Sequence, residues 1–251
     1  MQVVSKISDW QGLRASIEGK TLGFVPTMGA LHAGHLSLVQ RSRQENDLTL
    51  VSIFVNATQF NAPEDLQKYP RCEAEDLRLM QELEVDYVLM PDYQQLYPDD
   101  FSYQIHENQL SRSRCGVSRP GHFTGVLTVV MKLLNLAQAH RVYFGEKDYQ
   151  QLELIQGLVA AFFIPTMIVP CPTIRETDGL ALSSRNIRLS EHGRKKASLF
   201  YQVLQQKLPI PKIKDRLQEL GFEVDYIEDH HNRRYGAVYL EGVRLIDNVT
   251  L

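Results

Sequence analysis

Cysteine is scarce: Cys72, Cys115 and Cys171 are the only three, and no two stand at a C-x-x-C spacing. An odd number without that spacing supports neither a disulfide framework nor a zinc knuckle. Excess charge is lacking too. With 27 Lys+Arg against 30 Asp+Glu, the formal net charge of −3 gives no global field attractive to nucleic acid or anionic lipid, so any phosphate site must be local. No nucleic-acid partner and no membrane is expected. The opening residues Met1-Gln2-Val3-Val4-Ser5-Lys6 lack the apolar core of a signal peptide. One uncharged run, Leu154 to Ile174, is broken by Pro165, Pro170 and Pro172. It reads as a helix ending near Phe163 followed by a buried strand, not as a membrane span. A cytoplasmic protein is expected. Walker A and G-x-G-x-x-G loops are absent as well, so a nucleotide would need another phosphate cradle.

What is present is an alternation of apolar strands and helical stretches over 251 residues. Strands are expected at Thr21–Val25, Leu48–Val55, Tyr87–Met90, Arg141–Phe144 and Thr166–Val169. Helices are expected from about Gly34 to Glu45, Glu73 to Glu84, Phe123 to Ala137 and Tyr149 to Phe162. Repeated β-α-β units with nearly continuous apolar strands imply a parallel sheet covered on both faces. After Arg175 the texture changes. A basic helix from about Ser190 to Lys207 leads to a joint at Pro209-Ile210-Pro211, then a short helix and strands at Glu223–Ile227, Ala237–Leu240 and Arg244–Ile246. The fold class expected is α/β: a Rossmann-like parallel sheet with helices on both faces over residues 1–174, plus a smaller C-terminal α+β domain over 175–251 that closes as a lid.

Ligands in such sheets bind at the carboxyl ends of the strands. That rule gathers the loops at 26–35, 56–60 and 145–151. In the first, a turn marked by Pro26 and Gly29 leads to His32 and His35, flanking Gly34 at a helix start. Free N–H groups and the helix dipole suit a phosphate there, Gly34 permits close approach, and both histidines can donate. Taken alone, the pair also fits a helix cap or a packing feature. Asn56 and Gln59 follow the second strand, as amides for hydroxyl or carboxylate groups or as turn caps. Gly145-Glu146-Lys147-Asp148, with Gln151 a turn further on, offers a phosphate-neutralising lysine and a ribose acceptor, or a solvated turn. Ser183-Ser184-Arg185 forms either an anion clamp or a helix-capping cluster. Arg119-Pro120-Gly121-His122-Phe123 reads as a turn opening a helix. His230 and His231 read as a solvated loop.

These blocks stand in the order and wording of the pantoate–β-alanine ligase (pantothenate synthetase) family, within the nucleotidyltransferase superfamily marked by the HIGH motif. Pro26-Thr27-Met28-Gly29-Ala30-Leu31-His32-Ala33-Gly34-His35 resembles its first motif, and Val51-Ser52-Ile53-Phe54-Val55-Asn56 with Gln59-Phe60 its second. Tyr69-Pro70-Arg71, Arg119 to Phe123, Phe144 to Leu152, Asp178 to Asn186 and Arg244-Leu245-Ile246-Asp247-Asn248 continue the match across nearly the whole chain. Ala57 stands where the family usually has proline and Leu182 where methionine is common. The stretches between Leu204 and Val224 and around His230–Tyr235 look short for the family.

The resemblance implies a two-step reaction. Pantoate attacks the α-phosphorus of ATP to give pantoyl adenylate, and the amine of β-alanine then attacks the acyl carbon, releasing pantothenate and AMP. It implies that Met28, Gly29, Ala30, Leu31, His32, Ala33, Gly34 and His35, then Gly145, Glu146, Lys147 and Asp148, then Ile174, Leu182, Ser183, Ser184 and Arg185 surround ATP. Asn56, Gln59 and Gln151 would hold pantoate, with Gln59 also meeting β-alanine. His35, His32, Lys147, Ser183, Ser184 and Arg185 would stabilise the developing charge, and His35 would also protonate the leaving group. Mg2+ would bridge phosphate oxygens, without an assigned protein ligand. A homodimer is implied. The alternatives are another nucleotidyltransferase of the superfamily, which would lack the paired glutamines, and a catalytically silent nucleotide-binding protein, which would lack the histidines and lysine. The modest length disfavours a tRNA-aminoacylating enzyme.

Overall fold

Leu22–Thr27 and Leu48–Ile53 pair in parallel over six positions, from Leu22 opposite Leu48 to Thr27 opposite Ile53. In this computed structural model, which describes residues 1–251, they lie at the middle of a six-stranded parallel sheet. The first unit runs β1 (Gln2–Val4), α1 (Ile7–Ser16), β2 (Leu22–Thr27), α2 (Ala33–Glu45), β3 (Leu48–Ile53), α3 (Pro63–Gln67), α4 (Glu73–Glu82) and β4 (Tyr87–Leu89). Two short helices, α5 (Tyr93–Leu96) and α6 (Cys115–Ser118), precede α7 (His122–Ala137), β5 (Arg141–Gly145), α8 (Tyr149–Ala161) and β6 (Met167–Cys171). The strand order is β1-β4-β3-β2-β5-β6. The chain thus builds outward from β2 in one direction and then crosses to its other side at β5.

Strand periodicity explains the two packed faces. Phe24, Leu50 and Val142 point to one face, where Leu127 and Leu134 of α7 and Ile155 of α8 meet them. Their neighbours Val25, Val51 and Tyr143 point to the other, against Val39 of α2 and Met80 of α4. Helix α7 is apolar on nearly every side, and eleven of its sixteen residues are buried.

Pro26 corrects the sequence expectation of a turn, because β2 continues through it to Thr27. The Thr27 carbonyl accepts from Phe54 N–H on the β3 side, so Pro26 faces the β5 side. There, pairing has already ended at Phe24 opposite Val142, and the missing N–H removes no ladder bond. β1 and α1 have no counterpart among the elements expected from the sequence.

The C-terminal part holds α9 (Glu191–Leu204), α10 (Ile210–Glu219), β7 (Glu223–His230), β8 (Arg233–Leu240) and β9 (Val243–Thr250). The three strands form an antiparallel sheet in sequence order. Phe200, Leu204, Ile213, Leu217, Val238 and Leu245 pack between it and the two helices. Pro209 caps α10, with Pro211 in its first turn, so the expected joint is a helix start. Each strand is longer than expected. His231 and Asn232 close the β7–β8 hairpin with positive φ of 46° and 60°, and both histidines there are exposed. The apolar run at 154–174 is α8 and β6, and no helix is long and apolar enough to cross a membrane.

Candidate active site

Reversal of strand order between β2 and β5 opens a crevice at their carboxyl ends, where α/β sheets take ligands. A cleft of about 250 Å³ lies there. It is lined by Met28, His32, Gly34, His35, Asn56, Gln59, Gly145, Lys147, Asp148, Gln151, Ile174, Leu182, Ser183, Ser184 and Arg185. These residues span more than 150 positions, yet the topology brings them to one edge. Gly29, Ala30, Leu31, Ala33 and Glu146 do not line it.

The histidine pair is both a helix cap and a cleft wall. His32 is the N-cap of α2, and its Nδ1 accepts from Gly34 N–H at 3.1 Å. His35 Nδ1 accepts from His32 N–H at 3.4 Å. With both Nδ1 atoms accepting, each neutral ring carries its proton on Nε2. Burial, with Lys147 adding to it, lowers the His32 pKa to about 4. Burial, then His32 and Lys147, lowers that of His35 to about 3. Both are therefore neutral donors at neutral pH. Gly34 has a use the sequence did not reveal: a Cβ there would meet His32 Cε1 at 2.9 Å and Nδ1 at 3.0 Å. The missing side chain makes room for the imidazole over the helix end. The N–H groups of Ala30 and Leu31 are not free for phosphate, since they donate to the Asp76 carboxylate at 2.9 and 2.8 Å.

Asn56 is buried and its amide is fully used. Its Nδ2 donates to the Gly125 carbonyl at 3.2 Å and to Gln59 Oε1 at 3.0 Å. Its Oδ1 accepts from Tyr97 Oη at 2.9 Å and Thr58 Oγ1 at 3.0 Å. Asn56 therefore orients Gln59 and has no hydrogen bond left for a ligand. Gln59, with its oxygen held, turns its Nε2 donors outward. Gln151 has no partner in the protein for its amide and faces the cleft, whereas its neighbour Gln150 is bound up with Cys115 N–H and the Leu110 and Ser113 carbonyls.

Lys147 lies 3.6 Å from Asp148. Burial opposes ionisation of Asp148, but Lys147 and Arg185 hold its carboxyl below the ordinary value. The loop is held from far away, because Asn248 Nδ2 in β9 donates to the Glu146 and Lys147 carbonyls at 2.8 and 3.0 Å. Asp247 beside it grips Arg175 through two bonds of 2.6 and 2.8 Å. That pair anchors the loop leading to Ser183-Ser184-Arg185. Arg185 and Arg188 share the Asp65 carboxylate at 2.8 and 2.7 Å, and the Arg185 guanidinium stands 5.7 Å from the Tyr69 ring centre.

Sequence reasoning missed Asp76, Asp65, Tyr97 and the anchoring work of Asp247 and Asn248. Asp76 shares the first turn of α4 with Glu73 and Glu75, which reads as a solvated acidic helix start. Only packing shows that it alone is buried. Asn248 lies 101 residues from Lys147, beyond any spacing rule. No group of three or more His, Cys, Asp or Glu is arranged to hold a metal ion.

A parallel sheet that gathers donor imidazoles, a lysine loop and a serine–arginine loop at its switch point defines a nucleotide-dependent α/β enzyme. The family model for pantoate-beta-alanine ligase matches residues 2–250. The pantothenate synthetase of Bdellovibrio bacteriovorus is 49% identical over 100% of this chain and 99% of its own length. That of Coxiella burnetii is 48% identical over 99% of this chain and 96% of its own. Among solved structures, the Francisella tularensis pantoate-beta-alanine ligase, complexed with beta-gamma ATP and beta-alanine, superposes with a TM-score of 0.96 at 42% identity, covering 100% of this chain and 97% of that one. The Thermus thermophilus pantothenate synthetase superposes at 0.91 with 39% identity, over 100% and 99%. The chain belongs to the pantoate–β-alanine ligase family.

Proposed function

We propose that this chain condenses pantoate with β-alanine through a pantoyl adenylate, with the cleft between β2 and β5 holding both half-reactions. In the first, a pantoate carboxylate oxygen bonds to the α-phosphorus of ATP and the bond to the bridging oxygen breaks, so pyrophosphate leaves. In the second, the β-alanine amine bonds to the acyl carbon, the acyl–phosphate bond breaks, and AMP leaves while the amine sheds a proton. The observation that carries this reading is the convergence of phosphate donors and a fixed amide pocket in one cleft. The attacker is already a carboxylate, so positioning and charge stabilisation dominate. His32 and His35 donate through Nε2–H, Lys147 neutralises phosphate, and Ser183, Ser184 and Arg185 receive the leaving pyrophosphate. Gln59 and Gln151 take pantoate, while Asn56 sets the orientation of Gln59. Magnesium would travel on the phosphate oxygens of ATP as part of the substrate. General-acid action by His35 is disfavoured, because burial lowers its pKa to about 3 and the imidazolium proton that an acid would give up is absent at neutral pH.

Residues 175–251 would form the lid, a reading supported by their separate apolar cluster and by the loop 175–185 that hangs from β9. Cytoplasmic location accords with the ordinary charge balance. A homodimer is supported by Phe162, Phe163 and Met167, which leave apolar surface beside edge strand β6.

The test is incubation with ATP, magnesium and pantoate, with and without β-alanine. AMP release is expected to need both acids, and pantoate alone should drive ATP–pyrophosphate exchange. His35→Ala is expected to keep the fold and lose at least about a hundredfold in exchange. AMP release indifferent to pantoate would defeat the adenylate reading, and near-parent exchange in the variant would defeat the role of His35.

A further inference from the structure

Arg119 is the charged group in the cleft that the adenylation step leaves unexplained. Arginines around it are each paired with a carboxylate: Arg175 with Asp247, Arg185 and Arg188 with Asp65, Arg244 with Asp225. Arg119 has only neutral partners. One Nη donates to His122 Nε2 at 2.9 Å and the other to the Gln59 carbonyl at 3.3 Å. His122 Nδ1 donates to the same carbonyl at 2.8 Å, which fixes the ring and so the guanidinium against it. A guanidinium has five N–H donors, so three remain free. The side chain lines both the main cleft and the adjoining cavity of about 420 Å³ beneath the C-terminal sheet.

A partly buried cation without a counter-charge is unfavourable unless an anion completes it. Burial, then Arg185 and Arg244, lowers its pKa to about 10, so it is charged at neutral pH. The polyphosphate already has the histidines, Lys147 and the 183–185 loop on its side. Arg119 instead donates, together with His122, to the backbone carbonyl of Gln59, on the acid-binding side of the cleft.

Resting on the adenylate reading above, we propose that Arg119 binds the carboxylate of the incoming amino acid, leaving that substrate's amine to reach the acyl carbon beside Gln59. The site selects an ω-amino acid over a plain amine because only the former supplies the missing negative charge. Its place at the junction of the two cavities makes the adjoining one the entry route for the amine substrate.

The experiment compares the parent with Arg119→Gln and Arg119→Lys in three readouts. These are pantoate-dependent ATP–pyrophosphate exchange, the KM for β-alanine in AMP release, and the preference for β-alanine over β-alaninamide, which keeps the amine and lacks the carboxylate. Arg119→Gln is expected to exchange like the parent while its β-alanine KM rises at least about thirtyfold and its preference over the amide falls by a similar factor. Arg119→Lys is expected to fall between the two. Unchanged β-alanine KM and preference would overturn the proposal. So would a loss of exchange with a raised KM for pantoate or ATP, which would put the anion in the first half-reaction. An NMR titration of β-alanine and β-alaninamide into parent and variant reads the same charge preference without turnover. A parent that binds β-alanine through Arg119 yet shows no exchange would overturn the adenylate reading alone.

Discussion

Gly125 offers a carbonyl that can only accept, and the orientation of the Asn56 and Gln59 amides follows from it. Asn56 must present Nδ2 to that carbonyl, so its second N–H meets Gln59 Oε1, and Gln59 is left with its donors outward. Donors outward suit a carboxylate or a hydroxyl oxygen. Asn56→Asp removes both N–H groups and leaves the Gly125 carbonyl and Gln59 Oε1 facing an anion. A buried polar group left unmatched costs about 1–3 kcal/mol. We therefore predict a KM for pantoate raised about tenfold to a hundredfold, with the KM for ATP unchanged, in steady-state AMP release. An unchanged pantoate KM would show that Gln59 is oriented by something else. The sequence showed that Asn56 and Gln59 follow a strand, but it could not rank them. The difference lies in Tyr97, 41 positions away, whose hydroxyl fills the last acceptor site of Asn56.

Elements were most legible where one signal was long and uniform. The apolar run of α7 and the β-branched run of β3 stand within one or two residues of where periodicity puts them. β1 is only three residues and α1 carries a single buried side chain, Trp10, so neither leaves much pattern to read. Between Tyr97 and Gly121 the chain turns through short helices with positive φ at Asp100, Phe101 and Arg114; of these only aspartate is a residue type enriched there, so the sequence gives little sign of the turns. At this scale the decisive contact is the approach of α7 to the 3₁₀ turn Ala57–Gln59. A Cβ on Gly125 would run into the Thr58 carbonyl oxygen and would stand 2.7 Å from Gln59 N. These are backbone atoms, which cannot swing aside as a side chain would. Gly125→Ala is expected to push the helix off the turn, destabilising the protein by about 1–3 kcal/mol and disordering Gln59 with it. Urea unfolding should show the loss, together with a raised pantoate KM. Parent-like values of both would mean that the turn yields without consequence.

At the scale of the whole molecule, the two sheets meet at the site through the chain's last residues. The α/β class was legible because apolar runs alternate with helices, but strand order was not, since pairing joins strands far apart in sequence. The reach of β9 into the lysine loop was hidden for the same reason. Asn248 holds that loop by two carbonyls, and Asp247 holds the 175–185 loop through Arg175. One strand thus holds two cleft-lining segments that lie far apart in sequence. Asn248→Ala removes both bonds to the lysine loop while leaving the Asp247–Arg175 pair in place. At a net of about 0.5–1.5 kcal/mol for each bond, the expected result is a KM for ATP raised about tenfold. The KM for β-alanine should stay put, because no β-alanine group is assigned to that loop. Lys147 supplies the same charge in the variant, so a loss of ATP affinity would report its placement rather than its presence. A variant with parent KM for ATP would show that Gly145 to Asp148 keeps its shape without the C-terminal sheet, and would break the coupling between the two parts of the fold.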